Sequence, residues 1–167
     1  MDAMLGSLAR KLRAFGVDSL YYKHGNDEGL IQIAREQGRV VVTADRALAA
    51  RARSKGVRAV LVIGISDSGR IASMAKEFEE AENPLRLGAP RCSVCNGTLQ
   101  AIAKRDLRGR VPRASEERHR LFYACSECGK VYWKGSHWKK LRSLERRLRE
   151  KSIASVARRG RRSGPPR

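Results

Sequence analysis

Acidic residues stand at three points of the chain where a strand or turn pattern gives way to a helical pattern. Asp45 follows the apolar run at residues 40–43, and Asp2 and Asp27 each come directly before another helical segment. In a parallel sheet, such positions lie at the carboxyl ends of strands, where ligands bind. Clustered carboxylates there can hold magnesium or manganese, which neutralises charge on a phosphodiester and activates water. The pattern predicts that the three acids meet at one edge.

Helix capping is the alternative interpretation of the same acids. Asp45 can cap the helix that begins at Arg46, and the pair Asn26-Asp27 suits a capping turn. The residues alone leave both interpretations open.

The four cysteines of the chain form two C-x-x-C pairs, Cys92 with Cys95 and Cys125 with Cys128. This spacing is typical of a tetrahedral structural zinc site, in which four thiolates leave no open position for substrate. The 29 residues between the pairs exceed the usual spacing, so we expect an extended basic loop over 104–120. Two disulfides or a redox-active C-x-x-C are the alternatives.

Positive charge is concentrated in the second half of the chain. The formal net charge is +19, with 14 Lys/Arg against 11 Asp/Glu in residues 1–90 and 22 against 6 in residues 91–167. The first half therefore resembles a near-neutral globular domain, whereas the second favours a polyanionic partner. No apolar run approaches the roughly 20 residues of a membrane span, and the N-terminus lacks a signal-peptide pattern. We expect a cytoplasmic protein without membrane contact.

Strand and helix patterns alternate through the first half of the sequence. Apolar runs predict strands at 17–22, 40–43 and 57–63, and helical spacing predicts helices at 3–15, 26–38, 46–54 and 69–80. In the first helix, Arg10, Lys11 and Arg13 are assigned to the polar face. This alternation predicts an α/β fold with a parallel sheet covered on both faces.

A proline-bounded linker at 83–90 separates this fold from the cysteine-containing half. We predict three parts: an α/β domain at 1–82, a zinc ribbon at 91–138, and a basic helix with a disordered tail at 139–167.

Both tryptophans lie next to basic residues just after the second cysteine pair. Aromatic side chains among cations can stack on unpaired bases, although Trp133 can equally supply the small core of the ribbon. His137 can contact phosphate or serve as a packing residue. The nucleic-acid contacts that we predict are Arg46, Lys134, His137, Trp138, Lys139 and Lys140.

Five stretches together match a known family. They are residues 2–9 with Leu12, Arg13 and Gly16; Asn26-Asp27-Glu28 before Leu30; Thr43-Ala44-Asp45-Arg46 with Leu48; 91–96; and 131–138. The chain thus resembles the PIN-like ribonuclease domain with a zinc ribbon, named for the C-terminal part of the Mut-seven exonuclease. The resemblance implies a three-layer α/β/α sandwich and metal-dependent cleavage of RNA.

The resemblance also implies site residues. Asp2, Asp27 and Asp45 would be the catalytic acids that bind magnesium or manganese, with Asp67 as a weaker match for a fourth. The first acid of the family ends a buried strand, yet only Met1 precedes Asp2 here. We therefore expect either translation from an upstream start or a sheet that closes without this strand, and we expect Asp27 and Asp45 to be held more firmly than Asp2.

The leading hypothesis is a metal-dependent ribonuclease whose ribbon and tail hold structured RNA of the ribosomal or transfer class. The competing hypothesis is a non-catalytic RNA-binding factor on ribosomal particles that keeps the PIN-like body as a scaffold. A PIN toxin is a weaker third hypothesis, because such toxins need no attached ribbon.

Overall fold

A computed structural model describes residues 1–80, 85, 87–135, 138 and 146 of the protein. Contacts between residues divide the chain into two units. The first unit combines Met1–Ala9 with Leu20–Leu85, and the second combines Arg10–Ser19 with Arg86–Leu144. The predicted basic helix and tail at 139–167 lie outside the described residues, apart from Arg146.

The first unit contains helices around a short parallel sheet. Strands β1 (Val41–Thr43) and β2 (Ala59–Leu61) pair in parallel, with Val42 opposite Val60. The helices are the first part of α1 (Gly6–Ala14), α2 (Asp27–Glu36), α3 (Arg46–Ser54) and α4 (Asp67–Glu80). The predicted α/β fold with a parallel sheet is confirmed, whereas the three-layer sandwich stays a prediction.

Apolar side chains at helical spacing explain how α2 and α3 pack against β1. Ala49 and Ala52 of α3 are buried and small, which lets that helix lie close to the strands. The core cluster of this part of the unit consists of Leu30, Ile31, Ala34, Val41, Leu48, Ala49, Ala52, Val57 and Ala59. Burial of these side chains is the main force that holds β1 and its following loop in place.

The strand predicted at 17–22 is not formed. In this segment, Leu20 and Tyr22 make ladder-type hydrogen bonds, and both bonds are with Met1. The Met1 amino group donates to the Leu20 carbonyl at 2.8 Å, and the Met1 carbonyl accepts from the Tyr22 N–H at 2.9 Å. A strand needs a partner along several residues, and here one residue supplies it. On the other side, the Asp2 N–H donates to the Val42 carbonyl at 3.3 Å.

The second unit is built on a three-stranded antiparallel sheet. Its strands are β3 (Leu99–Ile102), β4 (Phe122–Cys125) and β5 (Val131–Trp133), in the order β3-β4-β5. The register places Ile102 opposite Phe122, and Phe122 opposite Trp133. Trp133 packs on a cluster of Leu107, Val111, Phe122 and Val131, with Ile102. The alternative role of Trp133 as a core residue of the ribbon is thus confirmed.

The end of α1 packs against the chain that leads into the ribbon. The Gly88 N–H donates to the Phe15 carbonyl at 2.9 Å, and the Arg91 N–H donates to the Arg13 carbonyl at 2.8 Å. Gly16 adopts a φ of +83°, and a Cβ placed on it would lie 2.4 Å from the carbonyl carbon of Gly88. Glycine is therefore required at residue 16 for both its conformation and its size.

Among the described residues, no helix combines the length and the apolar character that crossing a bilayer requires.

We predict that Gly16→Ala destabilises the protein more than Gly38→Ala. Both glycines have positive φ, but a Cβ on Gly38 meets nothing within 4 Å. The conformational cost of about 1 kcal/mol is common to both variants, and the contact with Gly88 adds about 2 kcal/mol in Gly16→Ala alone. Urea denaturation of the two variants measures the difference, and equal losses would contradict the packing described here.

Candidate active site and metal centre

Asp2 is the best-held acid of the first unit. Its side chain caps the 3₁₀ turn Ala3–Leu5, where Oδ1 accepts from the Met4 N–H at 2.9 Å. Its other oxygen accepts a hydrogen bond from the Thr43 hydroxyl. Asp2 is only 7% exposed, so the expectation that it is held less firmly than Asp27 and Asp45 is wrong. The Met4 N–H and the Thr43 hydroxyl hold its side chain, and its own N–H donates to the Val42 carbonyl.

Thr43 connects two of the predicted acids. It ends β1 and is completely buried. Its hydroxyl donates to the Asp2 carboxylate and accepts from the Asp45 backbone N–H at 2.9 Å. One hydroxyl can serve as donor and acceptor at once, so this group fixes the side chain of Asp2 and the backbone of Asp45 relative to each other.

Asp45 caps α3, as the alternative interpretation predicted. Its Oδ1 accepts from the N–H groups of Ala47 and Leu48 at 2.7 and 3.2 Å. The side chain is exposed, and among the described residues Oδ2 accepts no hydrogen bond. Capping therefore engages one oxygen and leaves the other open to a ligand.

Asp27 and Asp67 have other partners. Asp27 forms an ion pair with Arg51 of α3 at 3.0 Å, while Asn26 is the residue that caps α2. Asp67 accepts a hydrogen bond from the Ser7 hydroxyl at 2.5 Å. An arginine on the Asp27 carboxylate competes with a metal ion for it.

The described residues contain one group of three or more His, Cys, Asp or Glu side chains that are close enough to share an ion, and this group is the four cysteines. Asp2, Asp27 and Asp45 thus do not form a preassembled cluster of three carboxylates. Magnesium, however, is commonly bound through one or two carboxylates together with waters and substrate phosphates. Asp2 and Asp45 are linked through the Thr43 hydroxyl, and both oxygens of Asp2 already accept hydrogen bonds, from the Met4 N–H and from Thr43. The metal role of the three acids stays a prediction.

The four cysteine sulfurs of the ribbon lie within 4.8 Å of one another. The Sγ atoms of Cys92 and Cys128 are 3.5 Å apart, and those of Cys95 and Cys125 are 3.3 Å apart. Four thiolates at tetrahedral Zn–S distances stand about 3.8 Å apart, so the cluster fits a metal such as zinc. None of the four is in a disulfide.

Tyr132 of β5 supports the first cysteine pair. Its hydroxyl lies 3.1 Å from the Cys92 sulfur and accepts from the Ser93 N–H, also at 3.1 Å. Burial opposes ionisation of Cys92, but hydrogen bonds from the Cys95 N–H and the Tyr132 hydroxyl outweigh it and lower the pKa of Cys92 to about 6. Burial beside this thiolate raises the pKa of Tyr132 to about 12, which keeps its proton available as a hydrogen-bond donor.

Arg13 of α1 holds the same cysteine pair from its backbone side. The guanidinium donates to the carbonyls of Ser93 and Val94 at 3.0 and 2.8 Å, and to the carbonyl of Ser19 at 2.8 Å. Arg13 is 4% exposed, so its predicted place on the polar face of α1 is wrong. Burial lowers its pKa, and the nearby thiols of Cys92 and Cys95 partly offset this effect. The buried cation in turn favours the thiolate forms that bind metal.

The predicted nucleic-acid contacts are partly described. Arg46 is exposed at the start of α3, and Lys134 is exposed after β5. The ammonium group of Lys134 lies 5.9 Å from the ring centroid of Trp138. His137, Lys139 and Lys140 lie outside the described residues.

Residues 1–144 match the family described as the Mut7-C RNAse domain. The chain belongs to the Mut7-C RNAse domain family. The match covers both the acidic edge of the first unit and the cysteine centre of the second. Mut7-C membership indicates a ribonuclease-like function, and an RNase domain implies an RNA substrate. The searches of curated proteins and of solved structures found no match.

Sequence reasoning did not assign roles to three residues of this Mut7-C chain. Thr43, Arg13 and Tyr132 act through hydrogen bonds to groups 39 to 81 residues away in the sequence. All three stand inside the matched motifs, which is the one signal that could have identified them.

We predict that Tyr132→Phe weakens zinc binding about tenfold, because removal of a group that hydrogen-bonds a metal ligand commonly has an effect of this size. Competition with a chromogenic chelator measures the affinity. Tyr123→Phe is the matched control, since Tyr123 is the cross-strand partner of Tyr132 and makes no described contact with the cysteines. Equal affinities in the two variants would contradict the role of Tyr132.

We also predict that Thr43→Val destabilises the protein by about 2 kcal/mol, since the buried carboxylate of Asp2 loses a donor. Thr43→Ser keeps the hydroxyl, so its free energy of unfolding should fall markedly less. Thermal or urea denaturation compares the two. A larger loss in Thr43→Ser would show that the methyl group, not the hydroxyl, matters.

Proposed function

We propose that this protein is a metal-dependent ribonuclease whose active site lies at the carboxyl end of β1. The observation that carries the proposal is the placement of Asp2 and Asp45 around one buried hydroxyl in a chain of the Mut7-C RNAse domain family. The RNA class that we propose is structured RNA of the ribosomal or transfer type, in the cytoplasm.

Asp2 and Asp45 would hold magnesium or manganese in this proposal, and Asp27 would join them once Arg51 releases it. A bound divalent cation would neutralise charge that develops on the phosphodiester and lower the pKa of an attacking water. The protein's own part is positional. Thr43 holds Asp2 in one orientation, and the backbone N–H groups of α3 hold one oxygen of the exposed Asp45, while its other oxygen accepts no hydrogen bond from the described residues.

The position of Asp45 at the N-cap permits a clean test. Asparagine caps a helix about as well as aspartate, so Asp45→Asn keeps the fold and removes one charged metal ligand. We predict that the wild-type chain cuts labelled transfer or ribosomal RNA with manganese and not with chelator, and that Asp45→Asn lowers the rate at least about a hundredfold. Gel analysis of the labelled RNA gives the rates.

Glu36→Gln is the matched control, because it neutralises an exposed acid at the last residue of α2, whereas Asp45 caps α3. This variant should cut like the wild type. Cleavage that persists in Asp45→Asn, or that does not need metal, would contradict the proposed site.

A second candidate function is a non-catalytic RNA-binding factor on ribosomal particles. The ion pair between Asp27 and Arg51 favours it, because this pair satisfies one of the three acids without any metal. RNA binding without metal-dependent cleavage, equal in the wild type and in Asp45→Asn, is the outcome that this alternative predicts.

A further inference from the structure

The connection between β3 and β4 is an unusually long and basic insertion in the ribbon. We call residues 103–121 the ribbon insertion. It contains a 3₁₀ turn, Lys104–Asp106, and the short helix α5 (Arg113–Arg118). It contains three acidic residues, Asp106, Glu116 and Glu117, and seven basic residues: Lys104, Arg105, Arg108, Arg110, Arg113, Arg118 and Arg120.

The backbone of the ribbon insertion is fixed to the ribbon core. Leu107 and Val111 are 1% and 5% exposed and pack in one cluster with Phe122 and Val131. Arg110 donates to the carbonyls of Asp106, Leu107 and Gly129 at 2.7 to 3.2 Å. A loop that serves only as a solvated connection needs no such anchors, so the insertion is a preformed surface.

Four arginines of this surface have no side-chain partner among the described residues. Arg105, Arg108, Arg118 and Arg120 are exposed, and none of their side chains forms an ion pair or a hydrogen bond there. Arg113, by contrast, pairs with Glu117 at 3.0 Å. Unpaired guanidinium groups on a rigid loop repel one another, and a polyanion relieves that repulsion.

The register of the sheet shows which groups lie at the end of the sheet from which the ribbon insertion leaves. Ile102 ends β3, Phe122 begins β4 and Trp133 ends β5, and these residues are cross-strand partners. Both ends of the ribbon insertion and the segment after Trp133 therefore leave the sheet at one end. Cys125, at the other end of β4, lies opposite Leu99. The insertion also reaches back along the sheet, because Arg110 donates to the carbonyl of Gly129, the residue after Cys128.

We propose that the ribbon insertion is a binding surface for the phosphate backbone of single-stranded segments of the structured RNA substrate, with Arg105, Arg108 and Arg120 as phosphate contacts. Guanidinium groups bind phosphate in a forked geometry. Lys134 and the aromatic ring of Trp138 follow β5 at this end, and aromatic rings stack on unpaired bases. The proposal rests on the RNA substrate of the proposed function and names where that substrate is held outside the cleavage site.

The test compares two triple variants of the full zinc-loaded chain that remove equal charge. One carries Gln at Arg105, Arg108 and Arg120, and the other carries Gln at the exposed residues Arg10, Lys23 and Lys76. Fluorescence anisotropy with a labelled oligouridylate over a salt series gives the affinity and its salt dependence. The insertion variant should lose about two units of log–log slope, at about 0.7 per phosphate contact on single strands, and at least about tenfold in affinity. The control variant should keep the wild-type slope and the wild-type affinity.

Arg108→Gln alone is the second variant, since a single exposed substitution does not endanger folding. It should lower the slope by about 0.7. Equal losses in the two triple variants would overturn the proposal, as would an unchanged slope in the insertion variants. A chain that never cuts RNA but binds it through these arginines would contradict the nuclease function and support this surface. If the chain cuts RNA and the insertion variants bind RNA as the wild type does, the result would support the nuclease function and contradict this binding surface.

Discussion

The hydroxyl of Thr43 is the interaction on which the acidic site depends. It is buried at the end of β1, donates to Asp2 and accepts from the backbone of Asp45. A buried hydroxyl without partners would be costly, and a buried carboxylate without donors would cost still more. Each group therefore stabilises the other, and the pair fixes the edge of the sheet where the acids lie. The core of α2, α3 and the two strands keeps Thr43 in that place.

The second unit cannot rely on a large apolar core, because a small ribbon has little apolar surface to bury. Four cysteine sulfurs within 4.8 Å supply a metal centre at one end of its sheet. Arg13 and Tyr132 hold the first cysteine pair through backbone carbonyls, an N–H group and a sulfur. Leu107 and Val111 pack on the same sheet and fix the basic insertion. Within the part of the chain that the structure describes, the side chains of Arg105, Arg108 and Arg120 make no hydrogen bond or ion pair, so their substitution removes no described contact of the metal centre.

The features that the sequence predicts well are those that local spacing determines. The two C-x-x-C pairs predict the sulfur cluster, and the β-branched run before Thr43 predicts a buried strand followed by a capped helix. The bond between Asp2 and Thr43 is not predictable in this way, because it joins residues 41 positions apart. Arg13 has the spacing of a polar-face residue, and periodicity does not show that another segment covers it. The strand expected at 17–22 fails for the same reason, because strand formation depends on a partner elsewhere in the chain.

In the proposed nuclease, Asp2 and Asp45 would face one divalent ion at the end of β1. Paramagnetic broadening of backbone amide signals by manganese in the zinc-loaded chain tests this placement. Low concentrations of manganese should broaden the amides of Met4, Asp45 and Ala47 together, and Asp2→Asn should abolish the effect. Broadening that misses these amides, or that persists in Asp2→Asn, would contradict it.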